Sequence, residues 1–432
     1  MDSSVSQKPS LKTEAIAGIT TFFTMAYIVI VNPQILSADG KTGMAFSGVL
    51  TATVLICFTM TLLMGLYAKL PFAVAPGMGI NAFFTYTIIL GKGVPWPTAL
   101  GIIFWAGVFF LLISVTPIRE SIAKAIPSEL RIAAAAGIGI FLTFIGLKNA
   151  GFIVADPVTF VKLGALGRPA LLTILGLAIA AFLMARKSAF AFLAAIVTVT
   201  IVAWALGLVS APAAALSLPD FKSVFFKLDI FGALKLALVP SIIAILFTDL
   251  FDSISTFIGV AHAADLLDKN GHPRNLRQGL IVDSFATMGA GVAGTSSGTA
   301  YIESIAGISM GGRTGRTSVF TALCFLPCFF IAPLAAMVPP FATAAVLILV
   351  GAAMFRSVGQ INFSKLEEGV PAFLTLILIP LTFSITQGIL WGFIAHVGLY
   401  LMVGRRREIN PVMYVLALVS IGLLVLERIK FG

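Results

Sequence analysis

Four carboxyl groups sit inside strongly apolar stretches of this chain: Asp249 and Asp252 in LFTDLFDSIST, Asp283 in LIVDSFATMGAG and Glu303 in GTAYIESIAGI. An acid at the centre of a bilayer costs roughly 2.5–3.5 kcal/mol on insertion scales, unless it faces protein or a wet cavity. A structural ion pair would relieve that cost, yet these stretches hold no Lys or Arg. Asp249 and Asp252 are three residues apart and so share one helical face, in a segment made polar by Thr248, Ser253, Ser255 and Thr256. Asp283 stands near a helix end, where a supporting role and a purely structural one are both open.

Two further segments are interrupted by Gly, Pro and Ser: PFAVAPGMGINAFFTYT and GVAGTSSGTAYIESIAGI. Neither residue type suits a helix interior, so each segment is expected to run as a short strand followed by a half-helix. A half-helix that begins within the membrane points unpaired N–H groups and a positive dipole end at the centre. Irregular backbone survives there only where it is buried in protein or lines a cavity. Gly77, Gly79, Gly294 and Gly298 would let backbone approach a ligand. Asn81, Ser296, Ser297 and Thr299 add donors and acceptors, and Glu303 is expected one turn beyond Thr299 on the same face. Carboxylates accept and backbone N–H groups donate, which suits a flat heterocycle with ring N–H and carbonyl or ring-nitrogen edges. Phe83, Phe84, Phe251 and Tyr301 are aromatics near enough in sequence to stack on it, although most of the 36 phenylalanines must pack or face lipid. Acids in a dry cavity suit proton coupling, and sodium ligated by carboxylates and hydroxyls is the less favoured alternative.

These residues need a scaffold, and the composition defines it. Of 432 residues 59% are apolar and 11% charged, far too apolar for a soluble enzyme or a disordered chain. A polytopic, all-helical membrane protein remains. Its helices are read near 15–36, 44–68, 97–116, 130–149, 170–185 and 188–208, then 233–263, 274–291, 316–337, 341–356, 369–385, 388–403 and 410–427, with broken segments at 72–90 and 293–310. With the N-terminus on the cytoplasmic side, 18 of the 28 Lys and Arg fall in inside loops, so the net charge of +10 needs no nucleic-acid partner. The polar N-terminus followed by the run from Ala15 reads as a first span, not a signal peptide.

The chain also repeats itself. AIPSELRIAAAAGIGIFLTFIGLKNAGF resembles MVPPFATAAVLILVGAAMFRSVGQINF, and VAPGMGINA resembles VAGTSSGTA at a similar offset. Seven segments per half invert the second copy, and inverted repeats with a discontinuous helix at matching places point to a secondary transporter with a midplane site. Cys57, Cys324 and Cys328 lie in apolar runs, and His262, His272 and His396 have no metal-ligand spacing, so neither disulfide, metal nor cofactor is expected. GISMGGRTGRTS lacks a phosphate-loop pattern and reads as a tight cytoplasmic turn.

Together APGMGINAFF, FTDLFDSIST, GTSSGTAYIES and GGRTG resemble the nucleobase–ascorbate transporter superfamily, and within it the adenine/guanine/hypoxanthine permease branch, over nearly the whole chain. The resemblance implies fourteen segments in a 7+7 inverted repeat. Core parts would lie at 1–116 and 233–338. Gate parts would lie at 117–232 and 339–432, the last including the extra apolar segment 410–427, whose topology stays open. It implies that Asp252 and Glu303 hold a purine base, with Asn81 beside them and a second acid at Asp249. It also implies proton symport and a homodimer.

The expectation is therefore a proton-coupled purine importer in the cytoplasmic membrane, not an enzyme. Asp252, Glu303, Asn81, Thr256, Ser296, Ser297, Thr299, Gly79 and Phe251 would line the site, and Asp249, Asp252 and Glu303 would handle the proton. A uracil or xanthine carrier on the same scaffold is the nearest alternative. An anion carrier would favour a cation near the half-helix starts. A membrane-embedded enzyme has only DLLDKNG, at 265–271, in its favour.

Overall fold

The computed structural model describes residues 9–116, 126–264, 266–267 and 274–429. Lys8, Arg119, Lys124, Lys269 and His272, together with most of DLLDKNG, lie outside the described residues. Among the described residues, eight helices are long and apolar enough to cross a bilayer, and four shorter apolar ones accompany them.

Helix α1 (Leu11–Met25) begins at Ser10, whose hydroxyl accepts from the Thr13 N–H at 3.1 Å. A break at Ala26–Tyr27 separates it from α2 (Ile28–Ser37), so the run 15–36 is two helices. Next come α3 (Phe46–Leu66), strand β1 (Val74–Pro76), α4 (Met78–Ala82) with a π-helical continuation over Phe83–Gly91, and α5 (Trp96–Val115). Then follow α6 (Ser128–Asn149), the hairpin β2 (Ile153–Asp156) and β3 (Phe160–Leu163), α7 (Arg168–Ala185) and α8 (Ala191–Ala205).

Helix α9 (Val239–Ala263) starts six residues later than the apolar run suggested, because Pro240 fits only in a first turn. After α10 (Leu276–Ala293) come β4 (Gly298–Ala300) and the short α11 (Ser304–Ser309). The expected single helix over 316–337 is α12 (Gly315–Phe325), a 3-10 stretch Leu326–Phe330 and α13 (Ala332–Ala336), since Pro327 and Pro333 each withhold an N–H. Helices α14 (Pro340–Phe355), α15 (Leu366–Thr382), α16 (Ile385–Met402) and α17 (Pro411–Ile429) complete the chain.

The two interruptions are strands, and they pair with each other. Strand β1 lies antiparallel to β4 in the register Val74↔Ala300, Ala75↔Thr299 and Pro76↔Gly298. Backbone bonds from Gly77 to Ser297 O (2.8 Å) and from Tyr301 to Ala73 O (2.9 Å) extend the ladder at both ends. Pairing thus satisfies most of the polar backbone that a break in a membrane helix exposes. Because residues 298–300 are extended, Glu303 does not share a helical face with Thr299; it instead caps α11.

Helices α1, α3, α5, α10 and α12 pack on one another, as do α6, α7, α8, α14, α15 and α16. Glycines set the closest approaches. A Cβ on Gly65 of α3 would sit 2.4 Å from Gly315 O of α12, and one on Gly139 of α6 would sit 2.6 Å from Gly351 O of α14. Between the two groups, α4 meets α6, and α9 meets α6 and α16.

Candidate substrate site

The residues Thr295, Ser296 and Ser297 form a polar hub at the break before β4, each bonded to a different segment. Asn32 of α2 donates its amide to Thr295 at 2.8 Å and to Thr53 at 2.6 Å. Ser296 donates to Asn81 Oδ1 of α4. Ser297 donates to Asp249 Oδ2 of α9 at 2.5 Å, and Thr287 of α10 donates to the same oxygen at 3.0 Å. All six of Asn32, Asn81, Asp249, Ser296, Ser297 and Thr287 are fully buried.

Asp283, also fully buried, accepts from Ser253 Oγ at 2.7 Å and from the Ala300 N–H at 3.1 Å, while Ser253 and Thr299 hydroxyls lie 3.2 Å apart. It therefore holds β4 against α9. Oδ1 of both Asp249 and Asp283 is buried without a hydrogen-bond partner.

In front of this network lies a cavity of about 70 Å³. Thr248, Phe251, Asp252 and Ser255 line it from α9, Gly77, Gly79 and Ile80 from the start of α4 just after β1, and Arg131, Ala134 and Ile138 from α6. It is well below the roughly 300–1,000 Å³ of a typical ligand pocket. A ring system therefore needs more room than this conformation gives it.

The expected residues fall into three places. Asp252, Phe251 and Gly79 share the cavity. Asn81, Ser296, Ser297, Thr299 and Asp249 form the buried network behind it, and Thr256 is buried one turn beyond Asp252 on α9. Glu303 lines a second cavity, with Thr20, Thr24, Lys187 and Phe192, and its Oε1 accepts from the Tyr27 hydroxyl at 2.8 Å.

Of the four aromatics, Phe83, Phe84 and Tyr301 are committed to packing, and Phe251 also reaches the cavity. Phe83 and Phe84 are fully buried, Tyr301 donates to Pro76 O at 2.5 Å, and Phe251 stacks on Phe247 with planes 12° apart. The glycines also have reasons other than a ligand. A Cβ on Gly79 would sit 2.2 Å from Ile138 Cγ2, one on Gly298 would sit 2.8 Å from the Ala286 Cβ, and Gly294 adopts φ +96°.

Sequence reasoning missed two residues. Arg131 looked like a loop cation beside a helix start, and only the fold carries it into the cavity. Tyr27 lies at the unforeseen break between α1 and α2, which a smooth apolar run conceals. Among the described residues, no group of three His, Cys, Asp or Glu could hold a metal ion.

Spanning helices around two paired, interrupted crossings, with acids and hydroxyls gathered where they meet, define a multi-pass helical membrane transporter. A family profile described as a permease family matches residues 12–391, and the chain belongs to that family, the nucleobase–ascorbate transporters. It is 43% identical to the adenine permease AdeP of Escherichia coli, over 95% of this chain and 92% of that one. It is 39% identical to the guanine/hypoxanthine permease PbuO of Bacillus subtilis, over 95% of this chain and 96% of that one. In fold it is similar to the transmembrane domain of the cyanobacterial bicarbonate transporter BicA, with a TM-score of 0.64 at 18% identity, covering 90% of this chain and 97% of that one.

Proposed function

We propose that the protein imports purine bases (adenine, guanine or hypoxanthine) across the cytoplasmic membrane by proton symport. The observation that carries this reading is the placement of Asp252 beside Gly77, Gly79 and Thr248 in one cavity, next to the first interrupted crossing, whose strand β1 pairs with β4 of the second. A carboxylate there accepts from ring N–H groups, and hydroxyl and backbone groups supply the complementary donors. The names of the relatives, adenine and guanine/hypoxanthine permeases, support the same substrate class.

Asn81, Ser296, Ser297 and Thr299 hold the crossing in shape behind the base, and Thr256 backs Asp252 from the next turn. Asp249 and Glu303, each tied to hydroxyl groups, serve as proton carriers with Asp252.

Transport follows an inverted repeat divided into core and gate. Several features favour that division. Strands β1 and β4 pair antiparallel, α6 and α14 lie along each other, and α7 packs on α14 as α15 packs on α6. Thr87 donates to Phe383 O and Thr343 donates to Gln34 Oε1 at 2.7 Å, tying the two groups at one end, while the cavity lies toward the Arg131 and Met354 end. With the N-terminus cytoplasmic, that is the inward side. Rocking of the core against the gate would then expose the cavity alternately to each side. The protein is read as a homodimer, as the sequence resemblance implies.

The test is uptake of radiolabelled adenine, guanine, hypoxanthine, xanthine and uracil in a host lacking its own carriers, with and without a protonophore. Saturable purine uptake abolished by the protonophore is expected. Uptake of uracil or xanthine alone, or uptake driven by sodium and indifferent to protonophore, would replace the reading.

A further inference from the structure

Arg131 is the one cation lining the Asp252 cavity among the described residues, and it has no part in the proton or base contacts assigned to the acids. It sits in the first turn of α6, a helix on the gate side of the cavity, whereas Asp252 and Thr248 come from α9 and Gly77 and Gly79 from the interrupted crossing. Its position is fixed by packing. Two turns further along α6, Ile138 presses on the bare Cα of Gly79, and Gly139 sits against the backbone of Gly351. The Arg131 Nε is buried without a hydrogen-bond partner. Ser128 donates to Glu129 next to it, so the nearby acid does not supply the missing acceptor for Nε.

A guanidinium offers donors and no acceptor, and an ionised carboxylate offers the reverse. When ionised, Asp252 therefore complements only N–H groups of a bound base. The lone pairs on its ring nitrogens need a donor, and a buried donor that lacks a partner is the group to meet them. A purine has such a lone pair on the five-membered ring whichever groups it carries on the six-membered one.

We propose that Arg131 is a gate-side substrate contact, donating to the lone-pair nitrogen of the five-membered ring while Asp252 holds an N–H edge of the same base. The proposal rests on the purine reading above. In consequence a bound base bridges α9 and α6, so substrate itself links the two groups of helices. Arg131 thus selects for a ring acceptor, a property that a purely structural arginine would not confer.

The experiment compares hypoxanthine with 7-deazahypoxanthine, which replaces that nitrogen by C–H, as competitors of labelled hypoxanthine uptake. In the unaltered protein the deaza compound is expected to compete about tenfold or more worse, since it leaves a buried donor unpaired. In Arg131→Ala the hypoxanthine KM rises by a similar factor and the two competitors become about equal. Arg131→Lys, which keeps the charge, retains part of the discrimination and serves if the alanine variant does not reach the membrane. An undiminished deaza penalty in Arg131→Ala or Arg131→Lys, or no penalty in the unaltered protein, overturns the proposal. A failure of the purine reading looks different: the unaltered protein then takes up none of hypoxanthine, guanine and adenine, and both fall together; where adenine alone is taken up, the same comparison is made between adenine and 7-deazaadenine.

Discussion

Ser297 donates its hydroxyl to Asp249 Oδ2 at 2.5 Å, joining the residue before strand β4 to the middle of helix α9. The bond is repeated by Thr287 from α10, so one carboxyl oxygen ties three segments together. It is the central knot of the buried network behind the cavity.

Removing that hydroxyl by Ser297→Ala leaves Asp249 with a single donor in a fully buried place. Losing one hydrogen bond of this kind costs about 1–3 kcal/mol. The detergent-solubilised protein is expected to melt at lower temperature, and the double variant Ser297→Ala/Thr287→Ala to lose more than the sum of the singles. Strictly additive losses, measured by thermal unfolding, would contradict a shared knot.

Gly79 should tolerate no side chain while Ile138 stays. A methyl group placed 2.2 Å from Ile138 Cγ2 forces α4 and α6 apart, an overpacking penalty of about 1–3 kcal/mol. Because the clash is with a side chain, Ile138→Ala is expected to restore much of the stability and uptake lost in Gly79→Ala. Absence of rescue would mean that Gly79 matters for something other than this contact.

The contact between Gly139 and Gly351 is of another kind, since a Cβ on Gly351 would meet the Gly139 carbonyl oxygen at 2.3 Å. Backbone cannot be trimmed away. Gly351→Leu is therefore expected to destabilise α6 against α14 with no single compensating substitution, read as loss of monodisperse protein in size-exclusion chromatography.

Glu303 faces a cavity apart from Asp252, with Tyr27 as its partner. Glu303→Ala is expected to abolish uptake while the protein still reaches the membrane. Tyr27→Phe removes one hydrogen bond, about 1 kcal/mol, and keeps the carboxyl group. It should retain measurable uptake. Equal loss in both variants, followed by transport assay and membrane immunoblot, would assign Glu303 a role in holding α11 rather than in transport.

Much of this was legible in the chain. Hydropathy placed the spans to within a few residues, and the glycine and proline interruptions marked the strands near Val74 and Gly298 because a membrane helix cannot absorb them. Asp252 was legible for the same reason, as an unpaired acid among apolar neighbours. The pairing of β1 with β4 was not, since three-residue strands from opposite halves carry no register signal. Arg131 was hidden by its resemblance to a positive loop anchor, and Glu303, singled out as a buried acid, was set on the same face as Thr299 by helical spacing that fails where residues 298–300 are extended. The glycines were seen as exceptional, yet Gly79 and Gly298 prove to be shaped by the helices packed on them.

The most direct measurement is equilibrium binding of labelled hypoxanthine and adenine to the purified protein and to Asp252→Ala, a change that removes the acceptor without filling the cavity. The account predicts saturable binding to the unaltered protein and a loss of about a hundredfold or more in affinity on substitution, as for a buried charged hydrogen-bond partner. Unchanged affinity in a folded Asp252→Ala protein would contradict it.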